Sequence, residues 1–390
     1  MNEHPNATSI PPAGTHGAFL AQKQFGSLDG VRALCILGVV WHHTAIQELA
    51  AGETHWLPMS QVGYLGVDMF FVLSGFLIST LLQRERTRHG GISLKDFYAR
   101  RTLRIFPIYY LVLFGVAALY LVKEHVLHKD PASGEVFFRA LPWYATYTSN
   151  FLHPDFQANN LGITWSLATE EQFYILWSLA EFGLGRRWRM GLLALLLGVS
   201  QAINFRAPGV GQVLETTLGA RWTELPIMQT TFTPILLGVL LAHLMDHKAW
   251  FDRIARVLSP AMAPVGCLVL LLGLCNIGGD IQGWPRLLIQ IAMTIFVASC
   301  VIREDHALRR PLSWRPIVWV GRISYGMYLY HIFLVGPVRS RLASHGWSQS
   351  PVEFVVVLLA TILIASVSFV AIERPILGLK KRFTRIEAGR

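Results

Sequence analysis

An ionisable side chain at bilayer depth costs several kcal/mol, so one that interrupts an apolar run is expected to face a helix-bundle interior and to mark function. The first such run, residues 33–41 (ALCILGVVW), has Asp29 and Arg32 at one end and His42 and His43 at the other. Arg32 and His43 stand eleven positions apart, which at about 100° per residue leaves them about 20° from eclipsed and about 16 Å apart along a helix. They share a face, one near a membrane surface and one well inside. An imidazole so placed can take a proton from a hydroxyl, and a guanidinium can hold an anion. The ordinary alternative is a snorkelling arginine and a histidine satisfied within its own helix.

Three further constellations carry chemistry. Arg100, Arg101 and Arg104 lead into a later apolar run, Arg101 and Arg104 being three apart and so neighbours on one helix face. Two guanidinium forks side by side suit a phosphate or diphosphate, although basic residues also gather at cytoplasmic membrane boundaries for topological reasons alone. Glu170 and Glu171 stand together within the apolar segment WSLATEEQFY. A carboxylate can orient an imidazole in base catalysis, which makes Glu170, or Asp68 in GVDMFFVLSGF, a candidate partner for His43; pairing with an arginine is the competing explanation. Ser324, Tyr328 and His331, at i, i+4 and i+7, form one polar stripe of a helix and are candidate substrate contacts. The plainer reading of such a stripe is hydrogen bonding between helices. A glycine-rich phosphate loop, HExxH, CxxC and GxSxG are all absent. Adjacent histidines on a helix point about 100° apart, so His42 and His43 make a poor metal pair, and no metal is expected.

These groups need apolar helices to position them, and the composition supplies them. Of 390 residues 53% are hydrophobic and 15% charged, against roughly 45–50% and about 25% in soluble proteins. On the measure of about 20 apolar residues per span, ten segments qualify: 33–50, 62–82, 103–122, 162–182, 190–204, 226–245, 261–278, 286–302, 317–338 and 352–373. The expected fold is therefore all-α, a polytopic membrane protein of about ten transmembrane helices. The aromatic stretch 140–152 is too brief to span. Four cysteines, all in apolar stretches, read as reduced packing residues.

The net charge of +10 raises nucleic acid as a partner, but the distribution of the basic residues argues against it. With residues 1–32 cytoplasmic, only Lys123, Lys129, Arg139, Arg206, Arg221, Arg286, Arg339 and Arg341 fall outside. Removing these eight from 34 leaves 26 on the inner side, which places both termini in the cytoplasm. Residues 1–27 and 377–390 read as tails around a single membrane domain, 28–376.

Together these pieces resemble the acyltransferase 3 family of bacterial integral-membrane acyltransferases. The matching segments are Leu28-Asp29-Gly30-Val31-Arg32 with ten residues before His43, the run Gly66 to Phe76, and Arg101-x-x-Arg104-Ile105-Phe106-Pro107. They continue with Trp165 to Tyr174, Arg322 to His331, and Glu373-Arg374-Pro375. The resemblance implies an acyl-CoA donor, usually acetyl-CoA, approached from the cytoplasm, and a hydroxyl acceptor on a cell-envelope, exported or secondary-metabolite carbohydrate. It implies a multi-pass protein of the bacterial inner membrane. Arg32 and His43 match the family's functional pair, Arg101 and Arg104 its paired arginines, and Glu170 its carboxylate. No hydrolase-like domain is expected to follow the membrane domain. In the expected mechanism His43 removes the hydroxyl proton, Glu170 or Asp68 sets its tautomer, Arg32 holds donor or oxyanion charge, and Arg100, Arg101 and Arg104 hold CoA phosphates; transient acylation of His43 is the variant. A transporter or flippase of a lipid-linked sugar, using the buried groups as a proton relay, is the rival reading. Its usual mark, internal repeats with broken helices, is not found.

Overall fold

The computed structural model describes residues 12–51, 60–129, 131–156, 160–230, 232–276, 281–348 and 350–383; the rest of the expected N- and C-terminal tails lies outside them. The described residues are helical, without a strand. The main helices are α1 (Leu28–Ala51), α2 (Leu65–His89), α3 (Leu94–His125), α4 (Pro131–Ala145), α5 (Trp165–Gly183) and α6 (Arg186–Asn204). They continue with α7 (Thr233–Asp246), α8 (Lys248–Leu258), α9 (Ala263–Cys275), α10 (Trp284–Ile302), α11 (Arg315–Ala343) and α12 (Pro351–Ser368).

Each of the ten expected apolar segments overlaps a helix of this set; 226–245 also takes in a short helix, Pro226–Thr230, and the end of 261–278 lies outside the described residues. By length and apolarity alone, four stretches are fit to cross a membrane: Leu65–His89, Leu94–His125, Trp284–Ile302 and Pro351–Gly378. The pair α8 and α9, bent by 79°, makes a fifth when taken as one span. The rest include helices that carry the ionisable groups singled out above. Thus α5 holds Glu170, Glu171 and Glu181, and α11 holds Arg322 and Arg339. The chain is a multi-pass helical membrane protein.

Two close crossings fix the bundle. Where α2 meets α7, Gly75 lies against the Ile235 carbonyl and Gly238 against the Val72 carbonyl; a Cβ at either would collide with the facing backbone. Where α1 meets α11, Gly321 lies in the same way on the backbone of Asp29. Small residues of this kind let backbones approach closely in membrane bundles. The second crossing runs α1 along α11, and so brings the far end of α1 beside the middle of α11.

A buried polar network ties α2, α5, α6 and α7. Glu181, fully enclosed, takes Arg189 at 2.6 Å, Arg86 at 3.2 Å and His243 at 2.9 Å, while Gln83 meets His243 at 3.0 Å. A carboxylate at zero exposure is tolerable only with such compensation. The two long connections, 123–161 and 205–225, are also joined: Arg221 bonds Asp155 at 2.6 Å and Glu224, and His153 reaches Asp155 at 3.2 Å and Glu224 at 3.0 Å. The Arg221 guanidinium holds both carboxyls below the usual carboxylate range. Beyond α12 the chain makes a π-helical turn, Phe369–Glu373, then a short helix Arg374–Gly378 and a 3-10 turn Leu379–Phe383.

Candidate functional site

Helices α1, α2, α3, α5, α10 and α11 line two chambers. The arginine chamber is lined by Arg32, Ser74, Arg101, Arg104, Glu170, Tyr174 and Ser324 among others. The histidine chamber is lined by His42, His43, Tyr64, Asp68, Trp165 and Arg286 among others. Val67 and Tyr328 line both. Val67 and Tyr328 thus stand between the two spaces as a partition. The Tyr328 hydroxyl donates to the Ile163 carbonyl at 2.8 Å and lies 2.7 Å from Ser166 Oγ.

In the arginine chamber the Arg101 guanidinium lies 3.6 Å from the centre of the Tyr174 ring and 3.9 Å from Glu170. This is a cation–π contact beside an ion pair. Glu170 accepts hydrogen bonds from the Ser74 and Tyr174 hydroxyls. Arg32 pairs with Asp29 at 3.1 Å. Among the described residues no carboxylate lies within ion-pair distance of Arg104.

The histidine chamber corrects the expected arrangement around His43. Its hydrogen-bond partners are the Val39 carbonyl, 2.9 Å from Nδ1, and Nε2 of His331, 3.3 Å from the same nitrogen. Neither Glu170 nor Asp68 is among them. His331, fully buried, directs its own Nδ1 at the carbonyls of Tyr328 (2.8 Å) and Met327 (3.2 Å). Carbonyls only accept, so Nδ1 of His331 carries its proton and Nε2 is the lone-pair atom. By the same rule Nδ1 of His43 is the donor, shared between Val39 and His331. His43 is left with a lone pair on Nε2, the tautomer a general base needs. The carboxylate expected to set that tautomer is replaced by a backbone carbonyl and a second imidazole.

The two carboxylates have other partners. Asp68 is held in a bidentate pair by Arg286, with Nε and Nη2 each 3.1 Å from a carboxylate oxygen, and by Gln290 at 2.8 Å. Arg100, expected at the donor site, lines neither chamber; it donates to the Phe383 carbonyl at 2.6 Å and pairs with Glu85 at 3.2 Å. His42, expected to point away from His43, does stand edge-on to Tyr64 with centroids 5.5 Å apart, yet it too lines the histidine chamber. Of the stripe on α11, Ser324 lines the arginine chamber, Tyr328 the partition, and His331 acts on His43 from behind.

The sequence reading missed Tyr64, Trp165, Gln282 and Arg286. Arg286 had been counted with the outer loops because it stands at a helix start. The available signal was its mate, a lone Asp68 in an apolar helix. Gln282 also lines a smaller cavity with Asn204, Trp222 and Thr223, so connection 205–225 adjoins the histidine chamber. Among the described residues no three His, Cys, Asp or Glu side chains come together as a metal site.

Fold and site together define a multi-pass membrane protein in which a cationic chamber and an imidazole-bearing chamber adjoin. Residues 25–370 match the model of the acyltransferase domain, and the chain belongs to the acyltransferase 3 family. It is similar to O-acetyltransferase OatA of Staphylococcus aureus (strain NCTC 8325 / PS 47), 28% identical over 359 residues, covering 90% of this chain and 56% of that protein. It is also similar to "Putative O-acetyltransferase SACOL0978" of Staphylococcus aureus (strain COL), 30% identical over 362 residues, covering 89% and 56%. The chain spans about half the length of the curated relatives it matches. No solved structure matches it.

Proposed function

We propose that this protein transfers an acyl group, acetyl from acetyl-CoA, to a hydroxyl of a carbohydrate. The observation that carries the reading is the pair of chambers meeting at Tyr328, with guanidinium groups for an anionic donor on one side and a correctly protonated imidazole for a hydroxyl acceptor on the other. Family membership and the O-acetyltransferase names of the relatives support the same chemistry.

In this mechanism the acceptor binds in the histidine chamber, where Tyr64 and Trp165 offer aromatic faces to a sugar ring. The donor lies in the arginine chamber with its thioester at Tyr328. Nε2 of His43 removes the hydroxyl proton as the oxygen attacks the thioester carbon. The carbonyl π electrons move to oxygen, and the Ser166 or Tyr328 hydroxyl at the partition donates to the charge that develops there once it turns from the Ile163 carbonyl. Collapse breaks the carbon–sulfur bond and expels the thiolate, which takes the proton back from His43. Arg101 and Glu170 hold the donor's arm, and Arg32 its negative charge.

The topology belongs to the same proposal: ten spans in one membrane domain, 28–376, with both termini in the cytoplasm of a bacterium and the protein in its inner membrane. The arginine chamber then faces the cytoplasm, where acyl-CoA is made. Reporter fusions are expected to place residue 95 and the C-terminus inside; a reporter at residue 95 reading outside reverses the assignment. The reaction itself is tested by mass spectrometry of surface glycans, secreted polysaccharides and small glycosides from cells with and without the gene. One species is expected to lose the mass of an acetyl group in the deletion, and unchanged glycans throughout would contradict the proposal.

A further inference from the structure

Arg32, Arg104 and Tyr325 of the arginine chamber also line a third cavity, whose remaining walls include Asp29, Arg322, Glu373 and Lys380. We propose that this third cavity binds the polyphosphate end of the donor through Arg104, Arg322 and Lys380, which makes the segment after α12 part of the donor site. The proposal rests on reading the donor as a CoA thioester.

Charge is the first argument. Four cationic side chains line the cavity, Arg32, Arg104, Arg322 and Lys380, against two carboxylates. Asp29 is shared between Arg32 at 3.1 Å and Arg322 at 3.8 Å. Glu373 lies against Gly326, and its Oε1 is buried without a hydrogen-bond partner. Burial, with Arg104, Arg101 and Arg100 adding their repulsion, pulls the Lys380 ammonium down to about 7. An arriving anion relieves such crowding, whereas a neutral ligand does not.

Order is the second argument. A CoA thioester is anionic at its nucleotide end, neutral along its arm and reactive at its tip. The cavities follow that sequence: the cationic cavity, the arginine chamber where Arg101 is already matched by Glu170, and Tyr328 facing His43. The segment is also built to stay in place. Arg100, itself paired to Glu85, grips the Phe383 carbonyl, and the π-helical turn Phe369–Glu373 lies in the wall between α12 and Lys380. Turns of this type recur at functional sites. Arg100, expected to bind the donor, here positions the segment that does.

Phosphate could also come from an anionic lipid headgroup, and the test separates the two. Full-length protein is placed in phosphatidylcholine nanodiscs, and binding of CoA and of uncharged pantetheine is measured for wild type, Lys380→Gln and Arg322→Gln. Each variant is expected to bind CoA roughly ten- to a hundredfold more weakly, the loss of a charge-assisted contact, with pantetheine affinity unchanged; Lys380→Arg should keep most of the CoA affinity. Variants that bind CoA like wild type, or that lose CoA and pantetheine equally, overturn the proposal. So does competition with CoA by phosphatidylglycerol added to the discs. If wild type binds neither CoA nor acetyl-CoA, the donor reading has failed as well.

Discussion

Replacing His43 by Ala is expected to lower acyl transfer per mole of purified protein by about two to four decades, the usual cost of removing a general base, while the protein still inserts and folds. The rate in wild type should fall toward acid pH, because a protonated imidazole cannot accept the hydroxyl proton. His331 touches His43, not the acceptor, so His331→Ala is expected to cost less and to change the pH profile along with the rate. It removes the acceptor that shares the Nδ1 proton and leaves only the Val39 carbonyl to hold the ring. His42→Ala, in the chamber wall, should raise the acceptor KM more than it lowers kcat. Specific activity near wild type in His43→Ala would sink the mechanism and leave the family membership untouched.

The second large effect concerns stability. Asp68 and Arg286 form a bidentate pair whose side chains are 1% and 7% exposed. Removing one member of such a pair strands the other charge, at a cost of about 3 to 5 kcal/mol. Asp68→Ala is therefore expected to melt well below wild type in detergent. Replacing both residues by apolar ones, Asp68→Leu with Arg286→Met, should recover most of that loss, because the desolvation penalty of both charges disappears together. The double variant also separates scaffold from chemistry: activity returning with stability makes the pair architectural, and activity staying low assigns it to the acceptor. An Asp68→Ala protein as stable as wild type contradicts the pairing.

The eleven-residue spacing of Arg32 and His43 is local, fixed by helix geometry, and each residue lines a chamber, Arg32 the arginine chamber and His43 the histidine chamber. Arg101 and Arg104, three apart, line one chamber, and Glu170, expected at His43, lines it with them. The partner of His43 was not legible, because His331 is 288 positions away. Only the crossing of α1 on α11, which Gly321 permits, brings the rings to 4.9 Å. Chemical habit named a carboxylate as that partner, but Glu170 is on the other side of the partition and Asp68 is taken by Arg286. The charge pattern behind the expected orientation counts Arg286 only as an outer basic residue, since counting by loop does not see a buried mate on another helix. The third cavity depends on residues from α1, α3, α11 and the segment after α12, and no single motif contains it.

In the proposed reaction donor and acceptor meet at Tyr328 from opposite chambers. The most direct measurement is an experimental structure of the protein with a non-hydrolysable acetyl-CoA analogue bound. The account predicts phosphate density beside Arg104 and Lys380, the arm running past Arg101, and the acyl carbon at Tyr328 within reach of an acceptor held at His43. An analogue whose nucleotide end occupies the histidine chamber, or whose acyl group ends away from Tyr328, would contradict it.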